Sequence, residues 1–178
     1  MFALIFDEIS LKPSLVYDQQ KDHVVGFEDF GGLRSDSFAN HALIIMLRSL
    51  TSNKNVPLGF YFSSHAMNAE RHRDIIMEAL SSANALICDQ GGSNCRLFSL
   101  LRTESEKPFF YFNGQKVFCL FDPPHLLKNL RRSLMKYDLE TYKELVSFKH
   151  IRDFYTVDQT LLVRCAPKIT DAYIYVAV

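Results

Sequence analysis

The spacing of apolar and polar residues in the first half of the chain predicts strands and helices in alternation. Short apolar runs at residues 2–6 and 85–88 each lead into an acid, Asp7 and Asp89 respectively. Between them, the segment from Asn68 to Ser82 has the period of an amphipathic helix. A helix that leads into a strand is typical of an α/β layer, so we expect a mixed sheet flanked by helices.

Turn residues and apolar spacing place the remaining elements. The run 42–50 fits a helix or a strand, and its branched residues favour a strand. A further strand is predicted at 58–62. The segments 14–18 and 23–27 are predicted to form a hairpin that continues the sheet of the first strand. A second hairpin is predicted from 108–112 and 116–121, which are joined by Asn113-Gly114 and followed by Asp122. The other predicted helices are 93–101, 125–137 after Pro123-Pro124, and 141–155.

Asp7 and Asp89 are the candidate chemical groups. If their strands lie side by side, both carboxylates reach one site, and such oxygen ligands suit Mg²⁺ or Mn²⁺. Two such ions can activate a water or a 3′-hydroxyl and stabilise the leaving oxygen in phosphodiester chemistry. A third acid normally completes such a site, and Asp122 could approach it. The alternative for all three aspartates is that they cap turns or helices.

Composition and charge limit the partners. Lys and Arg together number 20, as do Asp and Glu, so a nucleic-acid contact must come from a local patch. One such patch is the basic face of the helix 125–137, formed by Lys128, Arg131, Arg132 and Lys136. These cations could contact DNA phosphates, or they could form a solvated face or a junction with another segment. No apolar stretch is long enough to span a bilayer, which predicts a soluble intracellular chain without a membrane partner.

Three further readings of the polar residues are weaker. The sequence contains no CxxC pair, which favours reduced thiols for its four cysteines, Cys88, Cys95, Cys119 and Cys165. A zinc site formed by the first three cysteines and His125 is the alternative, but its spacing matches no compact ligand pattern. Ser93, Asp122 and His125 could form a hydrolase site, but they lack a nucleophile elbow. Gly91-Gly92 could offer amides to a phosphate, or could allow a sharp turn beside Asp89.

Four motifs in order carry a family resemblance. They are Phe6-Asp7-Glu8-Ile9-Ser10, Cys88-Asp89-Gln90-Gly91 with Asn94, the segment Phe121 to Arg131, and Ala166-Pro167-Lys168-Ile169-Thr170. Together they resemble the P-element family of DNA transposases, which includes the THAP-domain-containing transposase-like proteins. The resemblance covers nearly the whole chain.

The resemblance implies an RNase H-like catalytic domain that uses Mg²⁺ or Mn²⁺. Two aspartates, which correspond to Asp7 and Asp89, and a distant glutamate hold the metal and act on transposon ends and target DNA in the nucleus. In the family the glutamate follows a helical insertion that binds GTP. We therefore expect residues 1–137 to be the N-terminal part of the core, and 138–178 to be the start of a truncated insertion that does not bind GTP.

The departures from the family pattern concern activity. Nothing places Glu8, Glu140 or Glu144 as the third acid, Arg132-Ser133 stands where most members have Asn-Asn, and the zinc-binding THAP domain is missing. We therefore expect the N-terminal part of a transposase catalytic domain that is inactive alone. The alternative is a domesticated, non-catalytic module that binds DNA or protein. A sheet without its closing helix would expose apolar surface, which predicts marginal stability or a homo-oligomer.

Overall fold

The structure is a computed structural model that describes residues 1–80, 83–142 and 144–175. The chain forms two compact units, Met1–Asp122 and Pro123–Val178. The predicted boundary after residue 137, and the assignment of 138–178 to an insertion domain, stay predictions. Among the described residues, no helix combines the length and the apolar character that a membrane span requires.

The first unit contains ten strands and two helices within its described residues. They are β1 (Phe2–Ser10), β2 (Val16–Asp18), β3 (His23–Val25), β4 (Phe27–Asp29), β5 (Arg34–Phe38), β6 (His41–Ser49), β7 (Asn55–Ser63), α1 (Ala69–Ala79), β8 (Ala85–Cys88), α2 (Gly92–Leu100), β9 (Phe109–Phe112) and β10 (Gln115–Phe121).

Eight of these strands form one mixed sheet in the order β5-β4-β7-β6-β1-β8-β10-β9. β8 is parallel to both β1 and β10, and the other neighbouring strands are antiparallel. This mixed α/β fold confirms the predicted fold class. The strand chosen for the run 42–50 is also correct, because β6 occupies it and pairs with the whole of β1.

One face of the sheet carries the core. Ile76 of α1 and Leu97 of α2 belong to one buried cluster with Leu4 and Leu86 of the sheet. Successive residues of a strand point to opposite faces, and β10 shows the contrast between them. Val117 is 1% exposed and the next residue, Phe118, is 44% exposed. The helices therefore cover one face of β10, and apolar side chains on its other face are exposed.

The predicted helices and turns of this unit are largely confirmed. Asn68 caps α1 by accepting a hydrogen bond from the Arg71 amide at 2.8 Å, and Gly91 is the N-cap of α2. In the β9–β10 hairpin, Asn113 and Gly114 both have positive φ, 48° and 77°, as a tight two-residue turn requires. Ser81 and Ser82, the last residues of the predicted helix 68–82, lie outside the described residues.

Two strand predictions were wrong. Asp7 does not follow the end of β1, because β1 continues to Ser10 through its pairing with β6. The β2–β3 hairpin does not extend the sheet of β1 but forms a separate two-stranded sheet. It has no place beside β1, since β6 and β8 already occupy both edges of that strand. Instead, β4 and β5 lengthen the large sheet, and Gly31-Gly32 forms the turn between them.

The second unit is mainly helical. Its elements are α3 (Pro123–Lys136), β11 (Leu139–Glu140), β12 (Leu145–Val146), α4 (Phe148–Gln159) and α5 (Asp171–Tyr175). The predicted helix 141–155 was therefore wrong in its first half, where β12 pairs with β11. The helix begins only after Ser147, which caps it by accepting a hydrogen bond from the Lys149 amide. Lys143 lies outside the described residues.

A buried carboxylate organises the end of the second unit. Asp158 is 1% exposed and accepts hydrogen bonds from Arg164 and from the amides of Cys165 and Ala166. Burial raises the pKa of Asp158, but these donors outweigh burial, so that the pKa lies below its usual value. This network holds the chain at Ala166, where the fourth family motif begins.

Leucine-to-alanine substitutions on neighbouring strands should show which face of the sheet is buried, because only the buried leucine contributes strongly to the free energy of unfolding. Leu86 of β8 is fully buried, whereas Leu120 of β10 is 47% exposed. We expect Leu86→Ala to lower the free energy of unfolding by about 2–5 kcal/mol, because it removes packed methyl groups and leaves a cavity. Leu120→Ala should change it by less than about 0.5 kcal/mol. Urea unfolding measures both, and equal losses would contradict the assignment of faces.

The thiols should differ in reactivity. Cys95 and Cys165 are exposed, whereas Cys88 and Cys119 are buried. Burial raises the pKa of Cys119 to about 12, and burial together with the charge of Asp89 raises that of Cys88. Since the thiolate is the reactive form, iodoacetamide at pH 8 should label Cys95 and Cys165 first. Peptide mass spectrometry reads the sites, and rapid labelling of Cys88 in the folded chain would contradict its burial.

Candidate functional site

A cavity of about 200 Å³ in the first unit contains both predicted aspartates. Its lining residues come from β1, from α1, from the segment that joins β8 to α2, and from the first turn of α2. They are Phe6, Asp7, Glu8, His72, Asp89, Gly91, Ser93 and Asn94. The structure therefore brings Asp7 and Asp89 together, although they are far apart in the sequence.

The register of the parallel strands explains why the aspartates meet. Ile5 of β1 pairs with Ile87 of β8, and each aspartate follows its isoleucine by two residues. Residues two apart in a strand point to the same face. β8 ends at Cys88, just before Asp89, whereas β1 continues. Asp7 therefore lies just beyond the last residue of β1 that pairs with β8, although β1 itself continues to Ser10.

Asp89 is held in place by the start of α2. Its Oδ1 accepts hydrogen bonds from the Gly91 amide at 3.0 Å and from Asn94 Nδ2 at 2.6 Å. Asn94 Nδ2 also lies 3.4 Å from the Asp89 main-chain oxygen. Asn94 is in the first turn of the helix and is 7% exposed. The helix start therefore sets the direction of the Asp89 carboxylate.

The Cα of Gly91 lies close to the Asp89 carboxylate. Its φ of −71° is open to any residue. A Cβ at this position would, however, lie 3.0 Å from Asp89 Oδ1, which is tighter than ordinary van der Waals contact. A Cβ at Gly92 would have no heavy atom within 4 Å. The first glycine therefore leaves room for the carboxylate.

The two acids of β1 have different surroundings. Asp7 is exposed, and its Oδ1 accepts a hydrogen bond from the Glu8 amide at 2.9 Å. The Glu8 carboxylate accepts a hydrogen bond from the Met67 amide at 2.9 Å, just before α1. Glu8 thus ties β1 to the start of α1, while Asp7 is available at the cavity.

His72 was missed by the sequence reasoning. It is 1% exposed, its ring lies edge-on to Phe6 with centroids 5.7 Å apart, and neither ring nitrogen has a hydrogen-bond partner within the described part of the chain. Burial lowers the pKa of His72, while the charge of Asp89 raises it. The available signal was its spacing from Ala69 and Ile76, which places it on the buried side of α1.

The cavity fits a hard divalent cation in its donor types. It offers the carboxylate oxygens of Asp7 and Asp89, and Asn94 Oδ1 is buried without a hydrogen-bond partner among the described residues. Carboxylate and amide oxygens are ligands that Mg²⁺ and Mn²⁺ accept. Over residues 1–80, 83–142 and 144–175, no group of three or more His, Cys, Asp or Glu side chains is arranged to hold a metal.

The other predicted residues lie elsewhere or have other contacts. Asp122 follows β10, its amide donates to the Cys88 carbonyl at 2.8 Å, and it is not among the residues that line the cavity. Ser93 lines the cavity, whereas His125 belongs to α3 in the second unit. Each cysteine is a free thiol.

The basic face of α3 is partly engaged. Lys128, Arg132 and Lys136 are exposed, and Arg131 is half-buried. Arg131 donates to the Tyr173 carbonyl at 2.8 Å, which connects α3 to α5 within the second unit. Arg131 therefore has a structural contact, and the assignment of all four cations to DNA binding stays a prediction.

Substitution of Gly91 should test the close contact with Asp89. We expect Gly91→Ala to lower the free energy of unfolding by about 1–3 kcal/mol, because the added Cβ displaces the carboxylate from its two partly buried hydrogen bonds. Gly92→Ala should be neutral or stabilise the chain by up to about 1 kcal/mol, since alanine restricts the unfolded state without a contact. Urea unfolding of both variants gives the comparison.

A second variant separates this contact from helix capping. Alanine is a poorer N-cap than glycine, whereas serine is a better one. Gly91→Ser adds the same Cβ, so it should also destabilise the chain. A serine variant at least as stable as the wild type would contradict the proposed importance of the contact.

Comparisons with known proteins concern the family and the fold. The family described as TNP-like, RNase H N-terminal domain matches residues 1–102. Among solved structures, the Drosophila P element transposase strand transfer complex is similar with a TM-score of 0.75 and 21% sequence identity. The match covers 98% of this chain and 38% of that chain, so this chain spans less than half the length of that protein. The comparison with curated proteins found no match.

These matches settle the family and the fold. The solved structure, at its low sequence identity, supports the RNase H-like arrangement of sheet and helices. The family match covers more than half of the 178 residues and includes Asp7, Asp89 and Asn94. The chain therefore belongs to the TNP-like, RNase H N-terminal domain family, which confirms the predicted RNase H-like domain of the P-element transposase type.

Proposed function

We propose that this chain is the N-terminal part of the catalytic domain of a P-element-type DNA transposase, and that Asp7 and Asp89 bind Mg²⁺ or Mn²⁺. One observation carries the proposal: both carboxylates line a single cavity at the end of the β1–β8 pairing. The family match and the similarity to a transposase fold support the same class of function.

The residues of the cavity have distinct roles in this proposal. Gly91 and Asn94 fix the Asp89 carboxylate before any ligand binds, which lowers the cost of organising the site. Phe6 and His72 form a buried wall that limits water on that side. The bound ion would activate a water or a 3′-hydroxyl and stabilise the leaving oxygen of a phosphodiester. Asp7 and Asp89 supply the negative charge that attracts the ion.

DNA is the proposed substrate and partner. The similar solved structure is described as a strand transfer complex of a P element transposase, and phosphodiester cleavage and joining suits two metal-binding aspartates. The exposed cations Lys128, Arg132 and Lys136 of α3 are proposed phosphate contacts, which would make binding depend on salt. A DNA substrate also implies a nuclear location.

This chain alone is proposed to bind metal weakly and to lack strand transfer. The Glu8 carboxylate, the nearest further acid on β1, is engaged with the Met67 amide. Weak binding is expected when few protein oxygens hold a divalent ion. We likewise expect no GTP binding by residues 138–178.

Thermal melting in the presence of Mn²⁺ tests the metal site. At a Mn²⁺ concentration ten times its Kd, binding to the folded state should add about 1.4 kcal/mol. For a chain of this size the melting temperature should then rise by about 3–6 °C. Asp7→Asn and Asp89→Asn should each abolish the rise, because each removes a charged ligand without changing side-chain shape.

The matched control is Asp36→Asn, which changes an exposed aspartate of β5 outside the cavity. Its melting temperature should respond to Mn²⁺ as the wild type does. A folded wild-type chain with no response to Mn²⁺ would contradict the metal site and favour the non-catalytic binding module. A response that survives in both cavity variants would place the ion elsewhere.

A further inference from the structure

The two ends of the Asn94 amide have unlike surroundings. Nδ2 donates to Asp89 Oδ1 at 2.6 Å. Oδ1 is buried and has no hydrogen-bond partner among residues that the structure describes. The orientation of the amide is fixed by chemistry, because exchanging the two atoms would place an oxygen against the Asp89 carboxylate oxygen. The orphaned atom is therefore the oxygen.

A buried acceptor without a partner calls for an explanation. Most buried side-chain oxygens have a hydrogen-bond donor or an ordered water, and the explanations for an exception include a water, an ion and a catalytic role. Asn94 lines the cavity that also holds Asp7 and Asp89. An acceptor in that position needs a donor or a cation, and the adjacent carboxylates favour a cation.

We propose that Asn94 Oδ1 is the third protein oxygen of the divalent cation site, together with Asp7 and Asp89. This inference rests on the proposed metal site and adds a ligand to it. One side chain then has two roles: Nδ2 orients Asp89, and Oδ1 binds the ion. Because the amide is neutral, the three ligands carry two negative charges, which match a divalent cation.

Direct measurement of Mn²⁺ binding by the full chain tests the inference. Electron paramagnetic resonance of free Mn²⁺ gives the dissociation constant without any assay of DNA cleavage. Asn94→Ala removes both roles and should weaken binding by about tenfold or more. Asn94→Asp removes the donor to Asp89 but keeps an oxygen at Oδ1, and it should bind Mn²⁺ at least as tightly as the wild type.

Asn84→Ala is the matched control. Asn84 precedes β8 at the end opposite Asp89, and its Oδ1 accepts a hydrogen bond from the Phe2 amide. Its substitution removes a comparable hydrogen bond outside the cavity and should leave Mn²⁺ binding unchanged. Circular dichroism checks that each variant is folded. If Asn94→Ala does not fold, Asn94→Asp carries the test, and binding of Mn²⁺ by Asn94→Asp tenfold weaker than by the wild type would overturn the inference.

The outcomes distinguish a failure of the Asn94 inference from a failure of the proposed metal site. Wild-type affinity in Asn94→Ala would overturn the inference and leave a buried water as the partner of Oδ1. An affinity in Asn94→Asp as low as in Asn94→Ala would also overturn it, because Asn94 would then act only by orienting Asp89. Unchanged binding in Asp7→Asn and Asp89→Asn, or no binding by the wild type, would overturn the metal site itself.

Discussion

The parallel pairing of β1 with β8 is the constraint on which the site depends. The pair Ile5 and Ile87 sets the register that places Asp7 and Asp89 on one cavity. A slip of one residue would turn every side chain of the strand to the other face and separate the carboxylates. Such a slip is excluded because Leu4 and Leu86, which pair with each other, both enter the buried core. The same strand register therefore packs the core and places the two aspartates at the cavity.

The cavity, unlike the core beside it, contains buried polar atoms that lack hydrogen-bond partners among the described residues. The core is apolar, whereas the cavity wall contains a buried amide oxygen and a buried imidazole without hydrogen-bond partners within the described residues. Such groups lower stability, and stable folds keep them mainly where a ligand or a reaction uses them. Two residues of α2 show the difference. Leu97 packs in the core, whereas Asn94, one turn earlier, lines the cavity.

Local signals predicted much of this unit. The turn Asn113-Gly114, the cap Asn68 and the strand before Asp89 are each encoded by neighbouring residues, and the structure confirms them. The extent of β1 is not local, because its last residues are ordered by distant β6. The sequence also could not show that both edges of β1 are occupied, which leaves no place for β2–β3 beside that strand. The spacing of His72 from Ala69 and Ile76 indicates the buried side of α1, but its contact with Phe6 joins residues far apart in sequence and could not be predicted.

The electrostatics of the cavity depend on which groups carry charge. Burial lowers the pKa of His72, although the charge of Asp89 raises it. Burial thus favours the neutral imidazole, which does not offset the negative charge of the carboxylates. Asn94 adds hydrogen bonding without charge, whereas a third carboxylate there would repel Asp89. An amide at this position therefore holds Asp89 by a hydrogen bond without adding a charge that would repel it.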